Sequence, residues 1–335
     1  MTEPTVLTVI LNYRTPDLTV RACEAALREM QDLPGEVIVV DNASDDGSVE
    51  RLQQEAAARG WDRDGRLRIV ESGRNGGFGA GMNFGMRAGL SDGSAPDFYY
   101  LLNSDAWPDP GCILKLRDFL VATPKAGFAA SAVRGEDHDP HQTAFRFPTA
   151  AGEFEAAART GPISRLLRNR IVPMPLPRSR IRVDWASGAS LMIRREVIEA
   201  TGGFDETFFL YFEETDLCRR AALVGWETWY LPDAGVIHIG SASTGMRRWN
   251  RMPQYWFDSR LHYFLKNHGR AYTVWTTLAL IAGTLLWRLR QLIRPKPSSD
   301  PDGFLTDLIA HAARRALGRT FAAPAPAAAL PEDSR

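Results

Sequence analysis

An apolar run, Phe98 to Leu102, ends abruptly in Asn103-Ser104-Asp105. Read as a buried strand, it delivers a carboxamide and a carboxylate, two residues apart, to a strand end. A hard cation that also binds diphosphate needs such a site: one or two protein oxygens, with the other positions left to phosphate and water. The tripeptide by itself equally fits a plain turn in which Asn and Asp bond their own backbone. A second acidic cluster is Phe212-Glu213-Glu214-Thr215-Asp216. Carboxylates at a helix head suit the macrodipole and capping. Leu210, Tyr211 and Phe212 also set apolar bulk beside them, which raises a carboxyl group's proton affinity and makes it a better general base. His238 ends a further apolar run; it is either a satisfied core imidazole or, with Asp105, part of a metal site. Arg247 and Arg248 follow in a polar stretch and suit a diphosphate or a solvated charge pair.

Such residues need a frame, and the first ~130 residues alternate strand and helix signals, which predicts a parallel sheet with helices on both faces. Strands are expected at Val6–Leu11, Glu36–Val40, Leu67–Val70, Phe98–Leu102 and Ala126–Val133. Helices are expected over Asp17–Met30, Ser48–Arg59, Phe78–Leu90 and from Pro110 to Val121. Polar residues gather where these strands end. Asn12-Tyr13 follows the first, Asp41-Asn42-Ala43-Ser44 the second, Asn75-Gly76-Gly77-Phe78-Gly79 the third and Asn103-Ser104-Asp105 the fourth. In a doubly wound sheet ligands bind outside the carboxyl ends of the strands, so this series predicts a binding rim. The glycine run misses G-x-G-x-x-G, because Met82 and Phe84 stand where the last glycine would fall. It suits backbone passing close to a nucleotide at a helix N-terminus, or tight helix packing. Asp41 suits a nucleobase or ribose hydroxyl, or a helix cap.

The pattern breaks at residues 134–182, which are polar, Arg-rich and Pro-rich (Pro173, Pro175, Pro177), and read as an insertion or mobile loop. Regular structure resumes at Val183–Ile193, followed by a helix at Thr215–Leu223, strands at Trp226–Leu231 and Val236–Ile239, and a helix at Met252–Asn267. Residues 1–268 therefore form one domain, 269–321 a C-terminal helical segment, and the Ala/Pro-rich 322–335 a disordered tail. Tyr272 to Trp287 is nearly free of charge and is followed by Arg288, Arg290, Arg294 and Lys296. It is shorter than the roughly 20 apolar residues a spanning helix needs. Two readings stay open: a buried terminal helix, or one lying in a membrane interface with Trp275 and Trp287 at headgroup level.

Composition narrows the partners. Forty basic and forty acidic residues among 335 cancel, which argues against nucleic acid, whose binders carry a basic excess. Cys23, Cys112 and Cys218 are odd in number and widely spaced, as in a reduced cytosolic protein without disulfides. Val6–Leu11 is too short for a signal core and reads as the first strand.

Taken in order, these residues resemble the inverting glycosyltransferases of family 2. The resemblance covers roughly residues 5 to 268. It rests on Ile10-Leu11-Asn12-Tyr13, Val40-Asp41-Asn42-Ala43-Ser44-Asp45-Asp46-Gly47-Ser48, Asn75-Gly76-Gly77-Phe78-Gly79-Ala80-Gly81-Met82-Asn83, Leu102-Asn103-Ser104-Asp105, Ser187-Gly188-Ala189, Gly203-Phe204-Asp205-Glu206, Glu213-Glu214-Thr215-Asp216-Leu217 and His238. The subgroup most similar is the bacterial rhamnosyltransferases of cell-envelope polysaccharide synthesis. The resemblance implies a GT-A fold, an α/β mixed Rossmann-like sheet with helices on both faces, plus the C-terminal helical extension. It implies a nucleotide-sugar donor, with dTDP-rhamnose favoured and UDP-sugars open, a glycan or lipid-linked glycan acceptor, and Mg or Mn as cofactor. Donor binding would fall to Asn12, Asp41, Asn75, Gly76, Asn83, Asn103, Ser104, Arg247 and Arg248, and metal binding to Asp105 and His238. Glu214 would be the catalytic base, with Glu213 its rival. Ser187, Gly188, Ala189 and Asp216 would lie on the acceptor side. Asn103 stands where many members carry Asp, and Glu214 where the base is usually Asp. The expected location is cytoplasmic, with peripheral contact at the inner membrane face. A nucleotidyltransferase and a non-catalytic nucleotide-sugar-binding scaffold are the rivals from other classes.

Overall fold

The apolar runs near the N-terminus become parallel neighbours in one sheet. β1 (Val6–Asn12) pairs with β2 (Gly35–Asp41) on one side and β4 (Phe98–Asn103) on the other, and β2 pairs with β3 (Leu67–Glu71). The crossovers are α1 (Pro16–Glu29), α2 (Ser48–Arg59) and α3 (Phe78–Ala88). β5 (Ala106–Pro108), α4 (Cys112–Ala122), β6 (Ala126–Arg134) and the short β7 (Ala144–Phe145) follow. Then come α5 (Ala150–Ala158), α6 (Gly161–Leu166), β8 (Ile181–Val183), β9 (Trp185–Ala186), β10 (Ser190–Arg194), α7 (Arg195–Thr201), α8 (Glu213–Leu223) and β11 (Glu227–His238). The chain closes with α9 (Gln254–Ile293) and α10 (Phe304–Ala316). This computed structural model describes residues 3–63, 65–240, 250–293 and 300–317.

The main sheet runs β3-β2-β1-β4-β10-β6-β11-β5, with β8 added on β11. It is mixed, because β10 lies antiparallel to both β4 and β6 while β11 runs parallel to β6. Two strands expected near residues 226–239 are one, β11, whose register with β6 slips between Leu231 and Gly235 around Pro232. Proline cannot donate to the ladder, so the sequence reads as a break where the strand only bulges. Side-chain alternation splits the core in two. Val6, Ile10, Val37, Val39 and Leu102 pack with α1, α2 and α4. Leu7, Val9, Ile38, Val40 and Leu101 pack with α3, α7 and α8.

The stretch expected to be a loop over 134–182 carries β7, α5, α6 and β8. Thr149 caps α5 by accepting from the Gly152 amide at 3.1 Å, and Pro162 sits in the first turn of α6. Its prolines therefore start helices or lie outside them, which composition alone does not reveal.

The described residues cluster into two units. The first is drawn from Met1–Phe147, Pro173–Phe209 and Glu213–Ser243, and the second from Pro148–Val172, Leu210–Phe212 and Thr244–Arg335. Residues 148–172 and 250–268, which the sequence reading kept with the main domain, fall in the second. There α9 is interrupted at Gly269, whose φ of 78° no other residue type adopts readily. Arg260, 2% exposed, pairs with Glu153 of α5 at 2.7 Å. Trp287, expected at headgroup level in the interface reading, is instead buried, whereas Trp275 is exposed. No helix among the described residues is long and apolar enough to cross a membrane.

Candidate active site

The predicted rim forms where β1, β2 and β4 end, within the first unit. Asn12 closes β1 fully buried. Its amide donates to Asp41 Oδ1 at 2.7 Å and to Ser44 Oγ at 3.2 Å, and its carbonyl accepts from Thr19 Oγ1 at 2.7 Å. Asp41 also accepts from the Ser44 amide at 2.9 Å and the Ser44 hydroxyl at 2.6 Å. Both Asp41 oxygens are thus engaged inside the protein, and the group locks the β1 and β2 loops together. The backbone there is held in a costly conformation: Arg14, Ala43 and Asp45 have φ of 55°, 57° and 51°, a region that L-residues other than Asn, Asp and Gly seldom visit.

The glycine loop is tied to the same rim. Asn42 donates to Asn75 Oδ1 at 3.0 Å, and Asn75 Oδ1 also accepts from the Gly77 amide at 3.0 Å. Gly76 lies one residue along this loop. Gly77 has φ 86°, and a Cβ there would sit 1.7 Å from the Phe209 carbonyl oxygen. Its glycine is therefore demanded by close backbone approach rather than by dinucleotide spacing. Asn83, on α3, faces away from the rim. It brackets Phe204 by donating to its carbonyl and accepting from its amide, each at 2.9 Å, and reaches Glu206 at 3.1 Å.

At the end of β4 the acidic tripeptide meets β11. His238 pairs in register with Ala106, and its Nε2 lies 3.0 Å from Asp105 Oδ1 and 3.2 Å from Asn103 Nδ2. The Ser104 hydroxyl is buried against Thr15 Oγ1 at 3.1 Å. One imidazole nitrogen cannot both donate to the carboxylate and accept from the amide nitrogen. A divalent cation would instead take the Nε2 lone pair and the carboxylate oxygen together, so the donor set fits one, with diphosphate and water completing its shell. Among the described residues no three His, Cys, Asp or Glu side chains gather as a group that could hold a metal ion.

The second acidic cluster is joined to this corner through the loop that leads into β10. Gly188 donates its amide to Glu214 Oε1 at 3.3 Å, Ala189 accepts from the Asn103 amide at 3.0 Å, and Ser187 Oγ accepts from the Ala189 amide at 3.3 Å. A Cβ at Gly188 would meet Phe78 at 2.9 Å and Glu214 Cγ at 3.2 Å. The three carboxylates of α8 separate by burial. Glu214 is half-buried. Glu213 is 2% exposed, and its Oε2 finds no partner among the described residues. Asp216 is fully buried and paired with Arg220 at 2.7 Å, so it does not face the rim. Burial raises the pKa of both glutamates, and at Glu213 the neighbouring Glu214 charge raises it further.

Models of sequence families place this arrangement. The glycosyl transferase family 2 model matches residues 5–185, and that of glycosyl transferase family group 2 matches 99–310. The chain belongs to glycosyl transferase family 2. Among relatives of this family 2 enzyme is the N-acetylglucosaminyl-diphospho-decaprenol L-rhamnosyltransferase of Mycobacterium tuberculosis, 30% identical over 256 residues, which are 72% of this chain and 78% of that one. Its fold is GT-A. It is similar to the mannosyltransferase PcManGT of Pyrobaculum calidifontis, solved with GDP-Man and Mn2+ (TM-score 0.53, 17% identity, 96% of this chain and 89% of that one). It is also similar to GalNAc-T7, solved with UDP, GalNAc and Mn2+ (TM-score 0.56, 12% identity, 93% and 55%).

In this family 2 glycosyltransferase, then, strand ends, the loops beside them and the head of α8 bring together Asn12, Asp41, Asn75, Gly76, Asn103, Ser104, Asp105, His238, Ser187, Gly188, Ala189 and Glu214. Asn83 and Asp216 are drawn into packing instead. Arg247 and Arg248 lie outside the described residues. Sequence reasoning missed Thr15 and Thr19, which fix Ser104 and Asn12, and His141, whose ring centre is 6.3 Å from that of His238. Nothing in the sequence singles them out, because each is a lone polar residue brought in by the fold.

Proposed function

We propose that this glycosyltransferase moves rhamnose from dTDP-rhamnose to a hydroxyl of a lipid-linked glycan, by a single displacement that inverts the anomeric centre. The observation that carries the reading is the continuous path from the Glu214 carboxylate through Gly188, Ala189 and Asn103 to the Asp105–His238 pair. It gives one rim a base and a diphosphate-binding corner. The acceptor and sugar follow the likeness to the mycobacterial rhamnosyltransferase.

Glu214 takes the proton from the acceptor hydroxyl as that oxygen bonds to the anomeric carbon. The bond from that carbon to the diphosphate oxygen breaks on the opposite face, through an oxocarbenium-like transition state. A carboxyl group whose proton affinity is raised by burial is the stronger base for this step. Asp105 and His238 would hold Mg or Mn, which when bound supplies Lewis-acid stabilisation of charge on the departing diphosphate. Asn12, Asp41 and Asn75 keep the loops that shape the nucleotide pocket in place, and Asn103 stands beside the cation corner. Glu213, sealed off from solvent, leaves the base role to Glu214.

The test is nucleoside diphosphate release across a donor panel, with and without EDTA, in the presence of lipid-linked N-acetylglucosamine. Acceptor-dependent dTDP release from dTDP-rhamnose, abolished by EDTA, is the expected outcome. Release of pyrophosphate from nucleoside triphosphates would mark a nucleotidyltransferase, and binding without turnover a scaffold; either overturns the reading.

A further inference from the structure

The part of α9 beyond Gly269 turns an apolar face outward. A helix of a water-soluble protein buries its apolar stripe and exposes its polar one. Here the buried side carries Thr273, Thr276, Thr277 and Thr284 together with Leu280 and Trp287, and the exposed side carries Val274, Trp275, Leu278, Leu285, Leu289 and Leu292. Trp275 is 62% exposed and Leu292 81%. The buried threonines need no outside partner, because each donates its hydroxyl to the carbonyl four residues back, at 2.8–2.9 Å. Gly283 lets α5 come close on that side: a Cβ there would lie 2.6 Å from the Phe154 carbonyl oxygen. The inward face is thus committed to α5, and the outward face is left apolar over about five turns.

Two neighbouring features extend this surface within the second unit. An apolar groove of about 550 Å³ opens between α5, α6 and α9, lined by Phe154, Ile163, Leu167, Trp275 and Leu278, and Leu166 stands beside it 82% exposed. The charge along α6 and along α9 beyond Gly269 has one sign. Residues 161–172 and 270–299 contain no Asp or Glu, although acidic and basic residues balance over the whole chain. Arg165, Arg168, Arg170, Arg270 and Arg288 in these stretches are exposed.

We infer that this face is a membrane-docking surface for an anionic phospholipid bilayer, with α9 beyond Gly269 lying flat in the interface. The apolar side chains and the groove take acyl chains, and the arginines meet headgroup phosphates. Apolar area and basic charge together are what interfacial helices use, and no helix among the described residues offers a span instead. A second copy of the chain would bring arginine against arginine across a symmetric contact, so the charge favours lipid. The inference rests on the membrane-borne acceptor proposed above only for its purpose. Vesicle binding is read without turnover, so failure of either is seen separately.

The experiment is co-sedimentation of the full chain with vesicles of pure phosphatidylcholine and of phosphatidylcholine with phosphatidylglycerol. The expected result is pelleting with the anionic vesicles, weakened by high salt and slight with neutral ones. Trp275→Glu with Leu289→Glu should lower partitioning by about tenfold or more. The separate change of Arg165, Arg168 and Arg170 to Glu should do the same on anionic vesicles, and it keeps the test open if the first variant does not fold. Dispersal of wild type in the supernatant with anionic vesicles would overturn the inference. So would either folded variant binding as wild type does, or a wild-type dimer in light scattering that Trp275→Glu dissolves without any lipid binding.

Discussion

On the proposed reading, the chemistry at Glu214 depends on an ordinary, half-buried carboxyl group. Burial raises its pKa, and a base works only when deprotonated. Turnover should therefore fall as pH drops through a value above the usual glutamate range, and Glu214→Asp should keep a similar limb at reduced rate; a pH–rate profile reads this. Glu213 follows the same sign for stability. Its folded pKa is raised by burial and by the Glu214 charge, so what it contributes is present below its unfolded value and is lost as pH rises through the folded one. Glu213→Gln should raise the melting temperature at neutral and alkaline pH, by about 2–4 °C per kcal/mol recovered, and the gain should vanish in acid. At the cation corner, Asp105→Ala or His238→Ala should remove the dependence of dTDP binding on Mn2+, measurable by calorimetry with and without EDTA. These residues were legible in the sequence by type and by position at strand ends. Which glutamate faces the rim was not, because adjacent residues on a helix point about 100° apart and only packing decides which is sealed in.

At the scale of elements, glycines let strands, loops and helices approach to the distances the site needs. Gly188→Ala would press a methyl group on Phe78 and on Glu214 Cγ. A base displaced by a fraction of an ångström loses alignment, so turnover should drop by about 10²-fold while dTDP affinity and melting temperature change little. Gly77→Ala should be harsher, because both its φ of 86° and the Phe209 carbonyl forbid a side chain. A loss of at least about 3 kcal/mol in denaturant unfolding is expected. Elements with plain periodicity were readable in advance: β1, β2, β4, α2 and β6 lie within a residue or two of their expected ends. The sequence showed less where proline and arginine mask structure. α5 and α6 sit in a stretch that composition marks as loop, and β11 carries Pro232 inside it. In both, tertiary partners outside the local window supply what propensity lacks.

Across the whole molecule, the family, the GT-A sheet and the rim were legible because α/β topology gathers strand ends at one edge. The division of the chain was less so. The second unit joins residues 148–172 to α9, and it is secured by Arg260, buried against Glu153 and Thr277. Arg260→Ala strands that carboxylate and should cost about 3–5 kcal/mol, seen as a lower melting temperature. The proposed catalysis rests on one rim holding one base beside one diphosphate corner. The most direct measurement of that claim is turnover of the full chain carrying Glu214→Gln beside the chain carrying Glu213→Gln, with dTDP affinity taken on the same samples. The account predicts that Glu214→Gln loses about 10²–10⁴-fold in turnover with affinity intact, and that Glu213→Gln stays active. Full turnover in Glu214→Gln, or loss only in Glu213→Gln, would contradict it.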